Sequence, residues 1–100
     1  METIYGQLPN AMIADNISDL INQVYKLLPF KENTDERLES HFENVLFRIS
    51  GTARVIETFP EWITVISILE KARTESDFKL YRKSILDSCS ILKTIQQRLV

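Results

Sequence analysis

Apolar residues recur at Phe78, Tyr81, Ile85, Leu92, Ile95 and Leu99, with small Ser88 in the one gap of the series. Steps of three and four residues keep such a stripe on one face of a helix. No Gly or Pro interrupts the run, so it predicts one helix of about six turns. Thr74 and Ser76 are its candidate caps, with Asp77 in the first turn and Lys93 and Arg98 towards the negative pole.

Earlier in the chain, Ile17, Leu20, Ile21, Val24, Leu27 and Leu28 mark another helical face. This first helix is predicted to open at Asp15 or Asn16, both good N-caps, and to stop at Pro29. A second is predicted from Asn33 or Thr34, where Asn33 and Glu36 have capping-box spacing. Its inner face is Leu38, Phe42, Val45, Leu46 and Ile49. The same phase runs on through Ala53, Ile56 and Phe59, past Gly51. That continuity favours one helix to about Thr58, kinked at Gly51, over a clean stop with Gly51 as a left-handed cap.

The run from Trp62 to Leu69 carries conflicting signals. Its β-branched residues have strand propensity, yet the segment around Ile4 is the only candidate partner strand. A helix apolar on nearly every side, opening at Pro60, is the better reading. Residues 1–12 form a lead-in: Gly6 and Pro9 break any regular pattern, while Ile4, Tyr5 and Leu8 could dock on a surface. The predicted fold is therefore all-α, a small antiparallel bundle of about four helices over residues 13–100, preceded by that arm.

Composition supports this picture. One hundred residues suit one domain, and two Gly with three Pro are too few for the turns of an all-β fold. Charge is uneven: residues 1–50 hold eight acids and four bases, residues 51–100 six and eight, giving −4 and +2. The net charge of −2 gives no support to bulk nucleic-acid binding. Cys89 is the only cysteine, which suits a reducing cytoplasm. The start of the chain lacks the basic and long apolar regions of a signal peptide, and Trp62–Leu69 is too short to span a bilayer. A cytoplasmic protein without membrane contact is expected.

Residues for chemistry are scarce. His41 is the only histidine, too few for a His-rich metal site, and one chain holds no nucleophilic triad beyond it. Leu38 stands three residues before it, so the Glu-x-x-His motif of di-metal bundles is missing. Glu36, Glu39 and Glu43 read as a solvated acidic face, and Cys89 as a small core residue. Gly6 and Gly51 stand alone, so there is no glycine-rich phosphate loop. Neither enzymatic activity nor a cofactor is expected.

The expectation is a non-catalytic interaction module, of the inhibitor, adaptor, immunity or chaperone type, that binds a protein partner. Its candidate interface is Tyr5, Leu8, Trp62 and the stripe Phe78, Tyr81, Ile85, Leu92, Ile95 and Leu99, through which copies would also self-associate. The alternative is a binding protein for nucleic acid or a small phosphorylated ligand. Its patch would be Lys79, Arg82 and Lys83, which share a face of the last helix. The negative net charge makes nucleic acid the less favoured partner.

Overall fold

The computed structural model describes residues 2–3, 6–56 and 59–99. A minimal hairpin pairs β1 (Glu2–Thr3) with β2 (Gly6–Gln7), Glu2 opposite Gln7 and Thr3 opposite Gly6. Gly6 has a positive φ of 95°, which a residue without a side chain adopts freely. Five helices follow: α1 (Asn10–Tyr25), α2 (Leu27–Glu32), α3 (Leu38–Val55), α4 (Glu61–Arg73) and α5 (Phe78–Gln97). Because α2 is a short continuation of α1, the architecture is a four-helix bundle, 42 × 20 × 18 Å in extent.

Side-chain pairs set the directions. Tyr25 meets Lys93 while Ala14 and Ser18 meet Gln96, so α1 and α5 run antiparallel. Asn16 bonds Thr52 and Gln23 bonds His41, which opposes α3 to α1. Glu39 and Glu43 pair with Arg73, and Glu61 with Arg98, which turns α4 and then α5 in the same alternating way. This is up-down-up-down connectivity. The last helix lies at the centre, packed along α1 on one side and α4 on the other, whereas α1 and α3 meet over a shorter stretch.

Several boundaries differ from the sequence expectation, each for a local reason. Helix α1 opens at Asn10 rather than Asp15 or Asn16, because Pro9 in an extended conformation takes the N-cap place. Pro9 lends its carbonyl to the amides of Met12 and Ile13. Pro29 does not stop the chain: the helical path breaks at Lys26, and Pro29 then sits in the first turn of α2, where its missing N–H costs nothing. Thr34 has φ 52°. With Thr34 N–H on the Lys31 carbonyl and Asp35 N–H on that of Phe30, α2 ends in a Schellman turn. That turn delays α3 to Leu38 and removes the Asn33–Glu36 capping box. Asp35 instead accepts from the Arg37 amide at 2.9 Å.

Helix α3 runs unbroken through Gly51 and ends at Val55; its expected limit, Thr58, lies outside the described residues. The β-branched run is helix α4, so burial overrides strand propensity. It is amphipathic rather than buried all round: Trp62, Val65, Leu69 and Ala72 face inward, while Ile63 is 73 % exposed. The cap of α5 is Asp77, whose carboxylate accepts from the amides of Lys79 and Leu80, so Thr74 and Ser76 are not its caps.

Candidate functional site

Between α1 and α3, at one end of the bundle, lies an open groove of about 450 Å³. Leu8, Met12 and Ile13 form one wall and Phe47, Val55 and Ile56 the other, with Gly51 and Thr52 between them. The apolar character of the site follows from two departures from helical phase. Phe47 falls outside the inner series Phe42, Val45, Leu46, Ile49 and therefore points outward, 79 % exposed. Met12 lies one residue before the buried Ile13 and is 55 % exposed. At Gly51 a methyl group would meet nothing within 4 Å beyond the helix's own backbone, so the groove is open above it.

Polar contacts close the groove at its inner end. Asn16 Nδ2 donates to Thr52 Oγ1 at 3.2 Å, and that hydroxyl donates to the Arg48 carbonyl at 2.9 Å. Arg48 reaches across to Asp19 at 2.7 Å, and its hydrogen bond holds the Asp19 carboxyl below the usual carboxylate range. These groups tie α1 to α3 just where the apolar walls begin. Chemically the groove can bury apolar side chains.

The stripe expected to serve as an interface is core. Tyr81, Ile85, Leu92 and Ile95 are fully buried and Leu99 is 3 % exposed within the single chain. Periodicity marks a face that must be covered, and here α1 and α4 cover it, which removes the seam expected between copies. Trp62 is also buried, its indole N–H on the Ile56 carbonyl. Phe78 stays 38 % exposed and stacks on Tyr81. Leu8 is half-buried in the groove wall, and Tyr5 lies outside the described residues.

Lys79, Arg82 and Lys83 are exposed together on α5. Lys83 is spent on Asp87 at 3.2 Å, while Lys79 and Arg82 form no ion pair among the described residues. Glu36 lies in the turn before α3, so the acidic row shrinks to Glu39 and Glu43, which together hold Arg73. His41 donates from Nε2 to the Gln23 carbonyl at 2.9 Å and packs edge-on against Phe30. Tyr81 donates to the Leu27 carbonyl at 2.7 Å, and burial raises its phenol above the usual value. Burial likewise pushes the Cys89 thiol up to about 11, against a smaller opposing pull from Lys93. Among the described residues no cluster of His, Cys, Asp or Glu is placed to hold a metal ion, and no helix is long and apolar enough to cross a membrane.

The sequence reading passed over Phe47, Met12 and the placement of Gly51. The signal for Phe47 was present: a large apolar residue out of phase with its own helix. No protein-family model, curated protein or solved structure matches this chain.

Proposed function

We propose that the protein is a non-catalytic interaction module that receives an apolar helical face of a protein partner in the α1–α3 groove. The observation that carries this is the pairing of two large exposed apolar side chains, Met12 and Phe47, on opposite walls of one apolar groove. Water-exposed apolar surface concentrated at a concavity marks binding sites more than scattered residues do. A groove between helices suits the i, i+3, i+4 anchors of an amphipathic helix. The buried thiol of Cys89 is in keeping with a reducing cytoplasm.

The test is fluorescence anisotropy of a labelled, designed amphipathic peptide of about 18 residues with Leu at its helical anchor positions. Wild type is expected to bind it, Phe47→Asp to bind at least about tenfold more weakly, and an Arg82→Glu/Lys83→Glu variant to bind as wild type does. No binding by wild type, or equal binding by Phe47→Asp, overturns the reading. Loss only in the Arg82 and Lys83 variant would instead favour the basic face of α5.

A further inference from the structure

The outward face of α3 carries a knob, a hole and two opposite charges in an order that complements itself. Phe47 projects from the helix with 79 % of its surface exposed. Gly51, one turn later, leaves open space where a side chain would stand. Glu43, one turn before Phe47, keeps 64 % of its side chain exposed while touching Arg73. Arg54 is exposed in the last turn of α3 and forms no ion pair among the described residues. At 100° per residue, positions 43, 47, 51 and 54 fall within about 80° of one another around the helix.

The geometry points to a second copy of this chain as the occupant of the groove, with the two α3 helices crossing antiparallel about a two-fold axis. This rests on reading the groove as a docking surface and names what docks there. Antiparallel helices oppose residues whose numbers have a constant sum. The register that seats Phe47 over the other copy's Gly51 also seats the other copy's Phe47 over Gly51, as an isologous contact requires. In that same register Glu43 of each copy falls one position from the other's Arg54. Two symmetric ion pairs therefore flank two knob-and-hole contacts, and Met12 lines the wall against the incoming ring. A glycine at the crossing lets helix axes approach closely, which a larger residue would prevent. A parallel pairing would bring Phe47 to Phe47 and Glu43 to Glu43, without either complementarity. One 18-residue helix with part of α1 beside it is a small patch, so the contact falls at the low end of stable interface areas, and association is reversible in the micromolar range.

Sedimentation equilibrium on the full chain, from about 10 µM to about 1 mM, reads this directly. Wild type is expected to pass from monomer to dimer. Gly51→Leu fills the hole and is expected to stay monomeric while melting no lower than wild type, since the added side chain meets open space and a helical glycine is removed. Glu43→Arg and Arg54→Glu, singly, place like charges together and weaken association by about tenfold or more; combined in one chain they restore it to within about threefold of wild type. Glu39 keeps its hold on Arg73 in these variants.

A dimer that tolerates Gly51→Leu, or a double reversal no better than the singles, overturns the proposed pairing. A wild type monomeric at about 1 mM that still binds the designed peptide through Phe47 overturns the second copy and leaves the groove reading standing. A monomer that binds no peptide overturns both.

Discussion

The indole Nε1 of Trp62 donates to the carbonyl of Ile56 at 3.1 Å, in a buried contact that joins the end of α3 to the first turn of α4. The last carbonyls of a helix have no partner within it, and here a side chain from the next helix satisfies one of them. The same indole fills the corner between the two helices, with 2 % of its surface exposed. Replacing it by Trp62→Phe keeps an aromatic ring but leaves the carbonyl unpaired. The expected loss is about 1–3 kcal/mol in urea unfolding. A loss well below that range would mean that Ile56 finds another donor.

Thr34 takes the left-handed position of the Schellman turn that ends α2, with φ 52°. A β-branched residue is strained there, whereas glycine is not. Thr34→Gly is expected to stabilise the fold by about 1 kcal/mol, the relief of strain outweighing the added freedom of the unfolded chain. The check is the urea midpoint, which should rise; a fall would show that the threonine side chain contributes more than its conformation costs.

Cys89 lies in the packed centre of α5, and burial lifts its thiol from the ordinary 9.0 to about 11. The folded state thus holds the thiol proton more tightly than the unfolded state does. Its contribution to stability is complete below pH 9 and is lost as pH rises through 11. At pH 8 the native protein should react with iodoacetamide about a hundredfold or more slowly than the urea-unfolded chain. Equal rates, followed by intact mass, would place the thiol at the surface.

Much of the architecture was legible in periodicity. Ile17, Leu20, Ile21 and Val24 face inward, as do Phe42, Val45, Leu46 and Ile49, and the series from Tyr81 to Leu99 is continuous core. What periodicity does not encode is which face covers which. The α5 stripe has the pattern expected of a seam between chains, and only the positions of α1 and α4 show that it is already covered. Helix ends were less legible, because Pro9 and Thr34 act through backbone conformation rather than the side-chain caps that Asn16 and Asn33 suggest. The groove needed both kinds of information. Phe47 is out of phase in the sequence itself, but its relation to Met12 and Leu8 arises only when α1 and α3 are laid side by side.

Under the proposed function the α1–α3 groove, and not the basic face of α5, receives the protein partner. Backbone amide shifts of the isotope-labelled protein at about 50 µM, followed by NMR as the designed amphipathic peptide is added to about 1 mM, test that most directly. Progressive shifts are expected at Met12, Phe47, Gly51, Thr52 and Val55, while Lys79, Arg82 and Lys83 stay fixed. Shifts confined to α5, or a spectrum unchanged by the peptide, would contradict it.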